Sequence, residues 1–174
     1  MNFRLATAAD APAIATLHAD SWQRHYRHSW PDSYLDGPVV QDRQAVWEKR
    51  LRESPANQFV MIAEEQGVLQ GFTCAYGADD AKWGTLLDNL HVRHDLQGRG
   101  TGATLVREVA RWSRANYPEC DLYLWALEAN TGARRLYERL GAKNAGTESH
   151  MTPGGGRTNA VRYSWTELDA LIGA

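Results

Sequence analysis

The chain has little of several things that would have given it an easy identity. Only two of its 174 residues are cysteines, Cys74 and Cys120, which excludes a fold held by a disulfide framework. No apolar run approaches the ~20 residues that a membrane-crossing helix requires, and the mean hydropathy is −0.53. Net charge is nearly absent, formally −2. That argues against a dedicated nucleic-acid or membrane-surface role, because both draw on a net basic face. The first ten residues contain no basic segment leading into an apolar stretch, so no secretory signal is predicted and a cytoplasmic location is the simplest expectation. Internal repeats and low-complexity linkers are missing too. His25 and His28 lie three apart, as do His91 and His94, but no third ligand follows at matching spacing, so no metal site is expected.

What is present is the composition of an ordinary single domain, 43 % apolar and 23 % charged. The chain is organised around Leu86 to Gly102, where an apolar strand passes through a short polar loop into a turn carrying Gly98, Gly100 and Gly102, and the turn opens a helix near Ala103. Glycines let the backbone take positive φ and approach a bulky anion, while the unpaired N–H groups of the following first helical turn point outward. The pattern predicts a phosphate cradle made of backbone.

Residues 3–7 read as a first strand, and Thr7 to Asp10 as the start of a helix with Ile14, Leu17 and His18 at helical spacing. Aromatics follow at Trp22, Tyr26, Trp30 and Tyr34. They suit either core packing or one wall of a substrate pocket, and Trp22, Tyr26 and Tyr34 are the candidate substrate contacts. A second helix is expected over 41–53, with Ala45, Val46 and Leu51 inward. Strands are expected over 58–64 and 68–76, a loop over 77–82, and a strand over 84–92. Beyond the glycines, Leu105, Val106, Val109, Ala110 and Trp112 mark a helix face. Residues 121–127 alternate with apolar side chains on both faces, as in a central strand covered on both sides. Asn130 sits at an N-cap position, Ala133, Leu136, Tyr137 and Leu140 form an inward stripe, and Gly141 supplies the stop. Residues 144–152 and 158–165 flank Pro-Gly-Gly-Gly as a closing hairpin. The expected fold is one mixed α/β sheet, mostly antiparallel, of six to seven strands with helices on both faces.

Gly98-x-Gly100-x-x-Ala103 also satisfies a dinucleotide-binding fingerprint, with Glu128 as a ribose-binding acid. That reading is weakened because the fingerprint starts past mid-chain and the loop from Arg93 to Gln97 is long.

Two motifs carry a resemblance to a known family. Gln97-Gly98-Arg99-Gly100-Thr101-Gly102 follows Leu90-His91-Val92, and Asn130, Ala133, Tyr137 and Gly141 repeat a second pattern. With each at a strand-to-helix junction, the whole chain resembles the GNAT superfamily of acetyl-CoA dependent N-acetyltransferases. The resemblance implies that backbone N–H groups from Gln97 to Gly102 hold the pyrophosphate of coenzyme A. It also implies that the pantetheine arm lies along Leu90, His91 and Val92, with Asn130 and Tyr137 on its other side.

The implied reaction is direct attack of a neutral primary amine on the thioester through a tetrahedral intermediate, with Tyr137 as the acid for the leaving thiolate. An alkylamine with pKa near ~10.4 must first lose a proton. Family members place a carboxylate at the position of Leu86, a departure here, and others place the titrating residue at Asp88. In a regular strand Asp88 shares a face with Leu90 and Val92. The base is Asp88, His91 or a water chain. The expected acceptor is a small-molecule amine, with Glu148 and His150 of the hairpin as possible contacts. A noncatalytic acyl-CoA sensor and an acetyltransferase of a protein amine stand as alternatives, and a homodimer through the terminal strands is a possible assembly.

Overall fold

In the computed structural model, which describes residues 1–173, the alternating segments become β1 (Asn2–Leu5), β2 (Gln58–Glu65), β3 (Val68–Asp80), β4 (Gly84–Val92), β5 (Leu122–Leu127), β6 (Lys143–Met151) and β7 (Arg157–Trp165). The helices are α1 (Ala11–His25), α2 (Asp32–Leu35), α3 (Val39–Glu53), α4 (Thr101–Asn116), α5 (Thr131–Arg139) and α6 (Leu168–Gly173). The strands form one seven-stranded sheet in the order β1-β2-β3-β4-β5-β7-β6. Every neighbouring pair is antiparallel except β4 and β5.

That parallel pair is brief. It holds only at Thr85 with Leu122 and Leu86 with Tyr123, and beyond this point the strands diverge. The connection between them carries the glycine turn and α4, as a parallel crossover requires. α1 and α3 cover one face of β2 to β4, where Ile14, Leu17, Trp47, Ile62 and Phe72 pack together. α4, α5 and α6 lie on the other face, over a core of Val106, Val109, Leu124, Tyr137, Tyr163 and Leu171. Each face buries the apolar stripe of its helices, which is the dominant favourable term of the fold.

Three expectations need correction, and one helix was not anticipated. α3 turns Val39 and Trp47 inward rather than Ala45, which is exposed. Its i+4 neighbour Arg43 comes with them because a guanidinium can stack on the Trp22 ring at 4.2 Å. β3 runs on to Asp80, so the expected loop over 77–82 is largely strand. β5 is covered by helices on one face only: Leu122, Leu124 and Ala126 pack under α4 and α5, whereas Trp125 on the opposite face is stacked by Arg162 of β7. Finally, α6 follows β7 and buries Leu168 and Leu171.

Candidate active site

The turn before α4 is built as its glycines require. Gly98 and Gly100 take φ of +80° and +89°, and a Cβ at either would meet nothing within 4 Å. This open backbone leaves room for a group to approach. The N–H groups of Gly98 to Ala103 find no backbone acceptor among the described residues, and the first bond of the helix runs from Thr104 N–H to the Gly100 carbonyl at 3.0 Å. Six successive free donors backed by the dipole of a 16-residue helix make an anion cradle.

Below the turn, divergence of β4 and β5 opens a cleft of about 900 Å³. Its lining includes Leu90, His91, Val92, Gln97, Gly98, Gly100, Thr101, Gly102, Asn130 and Tyr137. From Leu87 onward the β5-facing edge of β4 has no strand partner, so an extended polar chain can pair with it as an added strand. Asn130 caps α5, its Oδ1 accepting from Ala133 N–H at 3.1 Å, and it lines the cleft in the same position. Tyr137 is buried at 7 % exposure. Burial, with Tyr26 close by, pushes its phenol well above the ordinary range, so it keeps its proton.

β4 carries a bulge at the mouth of the cleft. Cys74 faces Asn89 and Ala75 faces Leu87, which leaves Asp88 as the extra residue. The bulge reverses the expected parity. Leu90 and Val92 turn toward α4, with Val92 beside Leu105, whereas Asp88 turns toward α3. There Arg50 donates to Asp88 Oδ2 at 2.7 Å and to Asn89 Oδ1 at 2.8 Å. Asp88 still borders the cleft, but it does not share a face with Leu90 and Val92.

His91 also turns toward α1. Its Nδ1 meets Ser21 Oγ at 2.8 Å, and its ring lies 4.4 Å from that of His18. Burial first, then the charges of His25 and Arg43, pull the imidazole down to about 3, so it is neutral at physiological pH. His18 is likewise held well below its ordinary value, chiefly by burial.

On this side of the sheet the cleft widens between two aromatic walls. Trp22, Tyr26 and Trp30 form one, with Trp22 and Trp30 edge to face at 4.4 Å. Trp125 forms the other, two residues past the last β4–β5 pair and level with Asp88. Arg162 stacks on Trp125 at 4.2 Å and on Trp83 at 4.3 Å, and His150 meets Trp125 edge-on at 4.5 Å. Trp125, Ser21 and Arg43 were missed at the sequence level. Alternation marked Trp125 only as a covered strand residue, and nothing local signals a partner 70 residues away, as for Ser21 and His91.

Tyr34 is not part of the cleft wall. It is buried at 5 % exposure, behind Trp30 and against the β6–β7 turn, where Gly154 comes so close that a Cβ would lie 2.7 Å from Tyr34 Cβ. Arg99 is exposed beside the turn and does not line the cleft. Glu148 pairs with Arg162 at 2.8 Å instead of lining the cleft.

Residues 19–142, more than half of the sequence, match the model of the acetyltransferase (GNAT) family. The chain belongs to that family. A probable N-acetyltransferase of Mycobacterium tuberculosis is 29 % identical over 144 residues, spanning 80 % of this chain and 78 % of the relative. Among solved structures, a proposed acetyltransferase of Salmonella typhimurium with its cofactor acetyl-CoA superposes with a TM-score of 0.68 at 20 % identity, covering 95 % of this chain and 92 % of the other. An N-acetyltransferase of Thermoplasma acidophilum in complex with coenzyme A gives 0.69 at 14 % identity, covering 94 % and 98 %. These likenesses establish the GNAT fold, in which the cradle, the diverging strands and the aromatic chamber occupy one continuous cleft.

Proposed function

We propose that this GNAT chain transfers an acetyl group from acetyl-CoA to a primary amine of a small molecule. The observation that carries the reading is the continuity of the cleft: it starts at six free N–H groups, passes the unpaired edge of β4, and ends between aromatic walls on the opposite side of the sheet. Bound there, acetyl-CoA supplies an acetyl group activated as a thioester.

The N–H groups from Gly98 to Ala103 hold the pyrophosphate, and the open Cβ positions of Gly98 and Gly100 leave room for it. The edge of β4 from Leu90 to Val92 pairs with the pantetheine amides, with Asn130 on the far side. A backbone N–H near Val92 receives the negative charge that develops on the carbonyl oxygen. Tyr137 donates its phenolic proton to the departing sulfur, a role suited to a group that burial keeps protonated. Asp88 takes the amine proton, and Arg50 fixes its carboxylate at the chamber floor. The closure of the β6–β7 turn onto Tyr34 favours a compact acceptor over an amine on a protein surface.

The test is calorimetric titration with acetyl-CoA, followed by thiol release with a panel of amines. Wild-type protein is expected to bind in the micromolar range and Gly100→Glu to lose binding, because a carboxylate in the cradle repels the pyrophosphate. Absence of acetyl-CoA binding by the folded wild type would overturn the reading. Binding without turnover of any amine would favour a sensor instead.

A further inference from the structure

The acceptor end of the cleft is lined by aromatic side chains around a single acid. Trp22, Tyr26 and Trp30 line it from α1 and the turn that follows, and Trp125 and Met151 line it from β5 and β6. Tyr26, Trp30 and Trp125 are only partly covered by the rest of the chain, and Met151 is 67 % exposed. Apolar surface left open along one cleft, rather than scattered singly over the outside, marks a place that receives an apolar group. The rings are fixed beforehand. Trp22, Tyr26 and Trp30 pack on one another with centroids 4.4 to 5.9 Å apart. Trp125 is stacked by Arg162, which Glu148 holds at 2.8 Å. Walls already rigid lose little side-chain freedom when a flat group enters between them.

The charges along the cleft narrow the occupant further. Among the described residues, Asp88 is the one carboxylate in its lining, Arg24 and Arg139 are its arginines, and no lysine lines it. Neither arginine serves the aromatic end. Arg24 stands beside His25, whose Nε2 is 3.4 Å from Gln97 Nε2 at the cradle, and Asp20 engages it at 2.8 Å. Arg139 is exposed at the end of α5, on the other face of the sheet. Asp88 is itself balanced by Arg50. An acceptor with a second ammonium group therefore finds no second carboxylate, and one with a carboxylate finds no free arginine or lysine.

Resting on the acetyltransferase reading, we infer that the acceptor is an arylalkylamine: one primary amine on a short alkyl arm, with an aromatic ring and no second charge. Its nitrogen meets Asp88, and its ring lies between the Trp22–Trp30 wall and Trp125. The arm is short because Trp125 stands level with Asp88 on the neighbouring strand, each two residues past the pair of Leu86 with Tyr123. Such an amine arrives protonated, and aromatic walls attract that cation before Asp88 takes its proton.

The experiment uses 2-phenylethylamine, ethylamine, 1,4-diaminobutane and 4-(2-aminoethyl)benzoate. Binding is measured by calorimetry with coenzyme A present, and acetylation by thiol release from acetyl-CoA. Wild type is expected to bind 2-phenylethylamine on the order of 10- to 100-fold more tightly than ethylamine, as burial of one ring gives. It is expected to favour it over the diamine and the benzoate as well, with the same order in kcat/KM. Trp125→Leu and Trp30→Leu are each expected to cut the preference over ethylamine by about fivefold or more, and Trp125→Phe to keep most of it. Thermal melts establish that each variant is folded, and either leucine variant suffices. Equal binding of 2-phenylethylamine and ethylamine, tighter binding of the diamine or the benzoate, or a preference untouched in the folded leucine variants overturns the inference. Binding with this preference but without acetylation of any amine upholds the aromatic chamber and fails the acetyltransferase reading alone. Acetylation of 1,4-diaminobutane ahead of 2-phenylethylamine does the reverse.

Discussion

Tyr137 sits where a proton donor is useful and where losing the proton is costly. Its ring is packed among Tyr163 and Trp165, and burial disfavours the phenolate. Tyr137→Phe keeps the packing and removes only the hydroxyl. It is expected to lower kcat by about 100-fold with little change in acetyl-CoA affinity; an unchanged kcat would assign the residue to the core. The buried histidines make a different statement, about stability. An unfolded His91 ionises near ~6.5, but in the folded chain it does so only at about 3. Between those values the unfolded state binds the extra proton, so stability is complete above ~6.5 and falls as the pH drops toward 3. Asp10, which the Arg4 guanidinium pulls below the ordinary carboxylate range to about 2, adds its loss only at the acid end. The melting temperature is therefore expected to decline from about pH 6.5 down to about pH 4, with a shallower decline in His91→Gln, His18 accounting for part of the remainder.

The elements that matter most here are β4 and β5, and their short parallel contact is set by a glycine. Gly84 has φ of +79°, and a Cβ there would lie 2.4 Å from the carbonyl oxygen of Asp121 and 2.7 Å from its nitrogen. Both are backbone atoms and cannot swing aside. Gly84→Ala is expected to cost about 2 kcal/mol or more in urea denaturation, from strain and from loss of the Thr85 N–H bond to Asp121. At this scale the sequence was informative wherever the signal is local. The glycine turn, the Asn130 cap and the stripe through Leu105 and Val109 each occupy a few consecutive turns of chain, and they appear as expected. The single parallel pair in an otherwise antiparallel sheet also removes the dinucleotide reading, which needs a doubly wound parallel sheet. What failed depends on a partner strand or helix. The bulge at Asp88 is a count of two residues against one on β3, and α3 turns Arg43 inward because Trp22 is there to receive it.

For the whole molecule, the proposed acceptor chamber depends on two distant parts of the chain meeting. The α1–α2 segment supplies Trp22 and Trp30 to its wall with Tyr34 behind them, and the β6–β7 turn reaches across to Tyr34 from the far edge of the sheet. That turn is tightly self-bonded: Thr152 Oγ1 donates to the Gly155 carbonyl at 2.6 Å, and Thr152 N–H to that of Gly156 at 3.1 Å. It therefore moves as a unit. Gly154 is the point of contact, with φ of +81° and no room for a Cβ against Tyr34. Gly154→Ala must push the turn away from α2, while the cradle at Gly98 to Gly102 lies elsewhere in the cleft. The expected result is a rise of about fivefold in the acceptor KM, corresponding to ~1 kcal/mol of lost closure, with calorimetric acetyl-CoA affinity unchanged. Hydrogen exchange should show faster exchange at Thr152 and Gly155 in the same variant. An unaltered KM together with faster exchange would mean that the turn closes over Tyr34 without shaping the acceptor chamber.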